Sequence, residues 1–272
     1  MRQKLIFTIA RAFCILGFFA LNGWAEDNSK ILKVDDSTTA YWIKDNAQEM
    51  LNPPKLFGEA SEALFTQLNL TQGVPASMGT FLLKADGEYI LFDTGLGKER
   101  GQLFTQLAKL GVSPDSIKKI YITHMHLDHI GGLVSGGKKN FKNATLYISQ
   151  VEFDVWTKEL PNNDLQKEVA KVYKGNINLF KFGDTLPHQI LAMDAAGHTP
   201  GHTVFQKGNL LIVGDLMHGY TLQISHPEIN SNYDKDKEKS VKARRYFLDY
   251  AQKNKLTMGG MHFPAPGFQK NW

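Results

Sequence analysis

From residue 76 onward, apolar and polar positions alternate at the short period of strands, broken by tight turns. Gly79–Lys84 and Glu88–Asp93 flank Ala85-Asp86-Gly87, and an Asp-Gly pair between two such runs predicts a hairpin. Ser116–Ile122 closes on Ile120-Tyr121-Ile122 and reads as a short buried strand. Further strands are predicted at Ala144–Ser149, Ile190–Ala195, Thr203–Lys207 and Leu210–Val213, the last two joined at Gly208-Asn209. Between them the spacing turns helical. Leu103, Leu107 and Leu110 predict a helix over Gln102–Leu110 that stops at Gly111. Gln150–Lys158, Asp164–Tyr173 and the charged Lys237–Lys253 are also predicted helices, the last with Val241, Phe247, Leu248 and Ala251 as its apolar positions. Residues 26–75, interrupted by Asn52-Pro53-Pro54, are expected to wrap the domain with short strands, a helix near Ala60–Leu68 and loops. Interspersed helices and short strands fit an α/β sandwich of sheets covered by helices.

The first 25 residues follow another pattern. Arg2 and Lys4 precede the apolar run Ala12–Leu21, and Gly23-Trp24-Ala25 places small residues before a cut. That is the layout of a bacterial secretory signal peptide, so residues 1–25 are expected to be a leader and 26–272 one domain, periplasmic or secreted, with no stable membrane contact after cleavage. Losing the leader removes Arg2, Lys4 and Arg11 and no acid, which lowers the formal net charge from +4 to +1. The basicity therefore gives no reason to expect nucleic acid as a partner. The single cysteine, Cys14, lies in the leader as well. Any metal in the mature domain must be held by imidazole and carboxylate.

Such groups are concentrated in Thr123-His124-Met125-His126-Leu127-Asp128-His129-Ile130-Gly131-Gly132, directly after a predicted strand. A loop at a strand end can turn these side chains towards one point, and imidazole with carboxylate suits Zn²⁺ or a similar first-row ion. Four more islands put a polar residue at a strand end or in a turn: Asp93, His198, Asp215 and His262. This placement is expected of ligands converging on one edge of a scaffold. His202 is expected to be a structural hydrogen-bonding residue, His188 and His226 to be solvated, and Met78, Met193 and Met217 to be packing residues.

The ordered set Asp93-Thr94-Gly95, THMHLDHIGG (123–132), AAGHTPGHT (195–203), Val213-Gly214-Asp215 and His262-Phe263-Pro264 resembles the metallo-β-lactamase superfamily, over essentially the whole chain from residue 76. The resemblance implies a four-layer αββα sandwich. It implies that His124, His126 and His198 hold one divalent ion, that Asp128, His129 and His262 hold a second, and that Asp215 bridges them, with Zn²⁺ the first expectation for both. Asp93 would orient a ligand histidine. Gly-Asp-Leu-Met-His (214–218), the tail Gly-Gly-Met-His-Phe-Pro-Ala-Pro-Gly-Phe (259–268) and Val74–Ser77 look like the exported methyl parathion hydrolase branch, which neighbours the N-acyl-homoserine lactonases. Relatives of this kind suggest a homodimer. Where lactonases place a tyrosine three residues after the bridging aspartate, this chain has His218, with Tyr220 two further on. The expected activity is metal-dependent hydrolysis of a small ester-like substrate (a lactone, aryl ester or organophosphate triester), with Asp128 handling protons and His218 facing the leaving group. The alternatives are a periplasmic β-lactam hydrolase and a non-catalytic metal-binding protein of the same fold.

Overall fold

Gly79–Ala85 and Glu88–Phe92 pair antiparallel across Asp86 and Gly87, whose φ angles of 51° and 82° are the positive pair that a type I′ turn requires. The hairpin sits inside a seven-stranded sheet in a computed structural model that describes residues 30–58, 60–161 and 163–270. The leader expected at 1–25 lies outside the described residues. Strand order in this sheet follows chain order: Ile31–Lys33, Thr38–Lys44, the hairpin, Ile117–Tyr121, Thr145–Ser149 and Ile177–Phe180. The pairing is antiparallel up to the hairpin's second strand and parallel after it. A second, six-stranded sheet runs Thr185–Leu186, Ile190–Asp194, Thr203–Lys207, Leu210–Gly214, Thr257–Gly260 and Phe268–Gln269. It is antiparallel except where Leu210–Gly214 meets Thr257–Gly260.

Period-two alternation assigns each strand two apolar faces, so the molecule has four layers. Trp42, Phe81, Leu83, Ile90, Phe92 and Tyr121 point from the first sheet into a shared core with Ile190, Ala192, Phe205, Leu210 and Ile212 of the second. The intervening residues Leu82, Leu91, Ile120, Leu146 and Ile148 point outward and are covered by Leu103 and Leu107 of helix Leu103–Lys109 and Val169 of helix Asp164–Val172. On the far side, Val204, Leu211, Val213 and Met258 are covered by Phe247 and Ala251 of helix Lys237–Lys253. Phe92 is fully buried at the junction of the sheets, stacked on Tyr121 at 5.1 Å and edge-on to Phe205 at 5.5 Å. Truncating such a ring costs about 3–5 kcal/mol, so Phe92→Ala is the single core change expected to threaten the sandwich.

The predicted elements form with boundary shifts of a residue or two. The exception is the helix predicted at Gln150–Lys158, which is α-helical over Gln150–Asp154 and continues as a π-helical turn over Val155–Glu159. The short strands and the helix expected within residues 26–75 are present among the described residues. Thr38–Lys44 is a seven-residue strand, Met50–Asn52 pairs with Val74–Ala76, and the helix near 60–68 is Glu62–Gln67. A separate apolar cluster of Phe57, Phe65, Leu70 and Val74 with Leu222 and Ile229 fastens this segment to residues 217–230. That attachment builds one wall of the cavity described next.

Candidate metal centre

Parallel strands end at one edge of the sandwich, and each end delivers a polar side chain there. Glu88–Phe92 runs into Asp93, Ile117–Tyr121 into Thr123, His124 and His126, Leu210–Gly214 into Asp215, and Thr257–Gly260 into His262. The short helix Leu127–Ile130 carries Asp128 and His129, and the turn between Ile190–Asp194 and Thr203–Lys207 carries His198. Gly214 has φ 53°, and a Cβ there would lie 2.5 Å from His202 Nε2, so the close approach of strand end and ring requires glycine.

The expected donors come together as two sets sharing one carboxylate. His126 Nδ1 lies 2.9 Å from His124 Nε2 and 3.0 Å from His198 Nε2. Asp128 Oδ2 lies 3.7 Å from His129 Nε2 and 3.5 Å from His262 Nε2. Asp215 sits between the sets: Oδ2 is 3.4 Å from His198, 3.7 Å from His124 and 3.0 Å from His262, while Oδ1 is 3.1 Å from His129. His218, expected near the reacting groups, places Nε2 3.2 Å from Asp215 Oδ2 and stacks on His262 at 5.0 Å.

The far side of most rings is already committed. His124 Nδ1 meets the Thr123 hydroxyl at 3.1 Å, His129 Nδ1 meets Asp93 Oδ2 at 2.7 Å, His198 Nδ1 meets Asp234 Oδ1 at 3.2 Å, and His262 Nδ1 meets the Ser77 carbonyl at 2.9 Å. Such backing fixes which nitrogen is presented to the centre. His129 Nε2 and Asp215 Oδ1 are both buried and lie 3.1 Å apart, but outside hydrogen-bond geometry, so neither is satisfied by another protein group. Buried polar atoms are rarely left this way, and here they lie where the two donor sets meet. The donor chemistry, the backing groups and these orphaned atoms all fit a bound cation.

Electrostatics divides the two sets. Burial holds His124 well below the usual imidazole range and His126 down to about 3, with neighbouring histidines reinforcing it, so both rings are neutral. Burial opposes the charged forms of His129 and His262 too, but Asp215 and Asp128 outweigh it: His129 is raised well above its ordinary value and His262 to about 9. Asp215 is likewise disfavoured by burial but held well below the usual carboxylate range by His129, His262 and His124. Asp93, fully buried at the strained φ of 58°, accepts from the Thr123 N–H at 2.8 Å and its hydroxyl at 2.7 Å as well as from His129.

The other histidines separate cleanly. His202 Nδ1 donates to the Ala195 carbonyl at 3.2 Å and Nε2 accepts from the Asp215 N–H at 3.1 Å, a structural role. His226 faces Glu228 at 3.3 Å on the surface. His188 corrects the expectation of a solvated ring: its side chain is only 10% exposed and pairs with Glu88 at 3.1 Å. Met78 corrects the expectation of simple packing, because it lines the cavity over the donors. That cavity, of about 490 Å³, is also lined by Met50, Leu96, Leu127, Asn52, Tyr233 and Lys235.

Two buried acids act here that the sequence did not single out. Glu152 Oε1 accepts from the Met125 N–H at 2.9 Å and Trp156 Nε1 at 2.6 Å, and Oε2 accepts from the Thr199 hydroxyl at 2.8 Å and the Gly201 N–H at 2.9 Å. It bolts the loop of His124 and His126 to the loop of His198. Ser149-x-x-Glu152 has the form of a helix capping box, which disguises the inward-facing carboxylate as a local signal. Asp45 accepts from the N–H groups of Leu96, Gln102 and Leu103 at 2.7–2.8 Å and fixes the loop after Asp93.

The Metallo-beta-lactamase superfamily model matches residues 80–250, which hold every donor except His262. The chain belongs to the metallo-beta-lactamase superfamily. Among solved members, the hydrolase AbOPH superposes with a TM-score of 0.78 at 25% identity, covering 88% of this chain and 91% of that one. AidC, a dizinc quorum-quenching lactonase in complex with a homoserine product, superposes with a TM-score of 0.78 at 27% identity, covering 89% and 92%. In sequence, a ribonuclease Z of Streptococcus equi subsp. equi is 30% identical over 140 residues, covering 50% of this chain and 43% of that protein. This metallo-beta-lactamase relative thus spans less than half the length of the curated ribonuclease it matches. Family and site together give this chain the fold and the donor groups of a metal centre.

Proposed function

We propose that this chain is an exported binuclear hydrolase of small ester-like substrates: a lactone, an aryl ester or an organophosphate triester. The observation that carries the reading is the cavity itself. It opens directly on donor atoms of both sets, is large enough for a drug-sized molecule, and is walled on its outer side by Met50, Met78, Leu96 and Leu127. The likeness to AidC and AbOPH across about nine-tenths of the chain supports the same reading.

His124, His126 and His198 would hold one ion, and Asp128, His129 and His262 the other, with Asp215 shared. Two bound divalent ions, Zn²⁺ first among them, supply an activated water at neutral pH and polarise the scissile oxygen. The protein's own groups do the rest. Asp128 is held ionised because His129 and His262 outweigh the cost of burial, and its carboxylate is 22% exposed, so it can accept a proton at the cavity surface. His218 is the donor candidate for the leaving oxygen: the Gln223 side-chain oxygen accepts from its backbone N–H at 2.8 Å, and Asn52 Nδ2 donates to its carbonyl at 2.6 Å.

The similarity to ribonuclease Z favours a second reading, a phosphodiesterase. Against it stands the cavity, whose lining residues include one lysine, Lys235, and no arginine; binding a polyanion calls for a broader basic surface. One experiment separates the readings: metals per chain on purified residues 26–272, with turnover of a homoserine lactone, a paraoxon-type triester, a chromogenic cephalosporin and a phosphodiester. Two ions with lactone or triester turnover supports the proposal. Turnover of the cephalosporin or the phosphodiester alone moves the chain to another activity, and two ions with no turnover leaves a binding protein.

A further inference from the structure

Each donor set contains one histidine backed by a buried carboxylate. In the second set it is His129, backed by Asp93, the acid that the family resemblance already assigns. In the first set it is His198, backed by Asp234, which lies 36 residues downstream in a segment with no metal motif. Asp234 is in turn held by Arg244, whose Nη2 donates to Asp234 Oδ2 at 3.2 Å. Both side chains are wholly buried, and Arg244 is the largest fully buried side chain in the described structure.

The arginine is satisfied almost entirely by backbone. Nε donates to the Leu216 carbonyl at 2.8 Å, and Nη1 donates to the carbonyls of Pro227 at 2.8 Å and Ile229 at 2.9 Å. The Ser231 N–H donates to Asp234 Oδ2 at 3.1 Å. The neighbouring backbone reaches the His198 turn as well: Lys235 N–H donates to the His198 carbonyl at 3.3 Å, and Asp236 N–H to the Gly197 carbonyl at 2.9 Å. A buried ion pair is a poor way to gain stability, since apolar residues of equal volume do as well or better. A carboxylate behind a metal-binding histidine, by contrast, fixes its tautomer and orientation and raises its basicity.

The geometry points to Asp234 as the positioning residue of the first metal site, with Arg244 as the clamp that anchors it to helix Lys237–Lys253. Asp234 is the counterpart of Asp93, supplied from the opposite side of the sandwich. The inference rests on His198 being a metal ligand. Its effect falls on one of the two ions: Asp234 orients His198, Asp93 orients His129, and the two acids share no ring.

The test is competitive titration of metal-free protein with Zn²⁺ against a chromogenic chelator, with the visible spectrum of one bound equivalent of Co²⁺ as a second readout. Asp234→Asn keeps an oxygen to accept from His198 but removes the charge. It is expected to weaken one ion about 10- to 100-fold, the range for loss of such a backing group, and to leave the other within about twofold. Asp93→Asn is expected to weaken the complementary ion, and the Co²⁺ spectra of the two variants should differ. Unchanged affinity for both ions in folded Asp234→Asn overturns the proposal. So does an equal loss at both, which would mean general loosening. If Asp234→Asn does not fold, Arg244→Lys decides: it keeps the charge and loses the fork, and the same one-ion loss is expected at smaller size. No change there overturns the proposal. The titration needs no substrate, so a wild-type protein that turned over no ester would overturn the hydrolase reading and leave this result standing.

Discussion

Two regions meet at the cavity, and they are built on different principles. The metal edge is a set of strand ends with one short helix and one turn, where most of the ligand rings are backed by a hydrogen bond. The wall, described residues within 50–78 and 217–235, is made of short elements outside the two large sheets and is held by a satellite apolar cluster and by side chains bonded to backbone, such as Asn52 to His218 and Asn232 to Lys55. The edge is specified by residue type and the wall by contact. Substitutions at the edge should therefore remove chemistry, and those in the wall should change which molecule binds.

The sharpest break of that contrast is Asp215→Ala. Asp215 is the one carboxylate within 3.7 Å of nitrogens from both sets. Its removal is expected to drop bound metal below two ions per chain and to lower kcat/KM by at least about a thousandfold, since several kcal/mol of charge stabilisation go with it and each 1.36 kcal/mol is tenfold. Full activity with two ions bound would refute the bridging assignment.

Glu152→Ala comes next, and it acts on the edge without touching a donor. It leaves four buried or half-buried donors without their acceptor, three from the two histidine loops and the fourth Trp156 Nε1, each costing about 1–3 kcal/mol. A stability loss of at least about 3 kcal/mol in urea is expected. A loss below about 1 kcal/mol would mean that the loops are held by something else.

The edge was legible because metal ligation needs rare residue types at short spacing, and THMHLDH is dense in them. The sandwich was legible from Phe81-Leu82-Leu83 and Ile90-Leu91-Phe92, whose alternate members serve two cores. Thr38–Lys44 could have been read the same way, with Thr38, Ala40 and Trp42 buried at period two; its polar surroundings obscured it. Asp234, Arg244, Glu152 and Asp45 were not legible. A carboxylate's role depends on what lies across space from it, and Glu152 and Asp45 reach partners as many as 49 and 58 residues away. The same applies to Met78, whose contact with the cavity exists only because the satellite cluster draws its segment there.

Met78→Ala tests the wall directly. Removing a partly buried apolar side chain should raise KM several-fold with kcat and metal content unchanged, the signature of lost uniform binding. A fall in kcat with loss of metal would erase the distinction between wall and edge.

The metal-free edge should also impose a pH optimum on stability. His126 and His202 are lowered to about 3 chiefly by burial, so below pH 6.5 the unfolded chain takes up protons that the folded one refuses. Each such group removes up to about 1.4 kcal/mol per pH unit as pH falls from about 6.5 towards 3. His262 works in the other sense. Raised to about 9, it contributes stability fully present below 6.5 and lost as pH rises through 9. Thermal melts of metal-free protein should therefore peak near neutral pH and fall on both sides. His202→Gln should flatten the acid limb alone, whereas a monotonic profile would contradict the division between neutral and protonated rings.

The smallest effect expected is the most telling control for the edge. His188 is as polar as any ligand and pairs with Glu88 and Asp86, but it sits on the outside of the sandwich in a turn at φ 61°. His188→Ala removes pairs to two well-exposed carboxylates, of the kind that contribute about 0–1 kcal/mol, and touches nothing at the metal centre. Turnover within about twofold of wild type and a Tm shift of no more than about 4 °C are expected, since 1 kcal/mol corresponds to about 2–4 °C at this size. A histidine has chemical meaning here only when its element, whether strand end, short helix or turn, delivers it to the shared edge. A large loss of turnover in His188→Ala would show that the surface hairpin communicates with the site, and residue type at the strand ends would then no longer suffice to explain the activity.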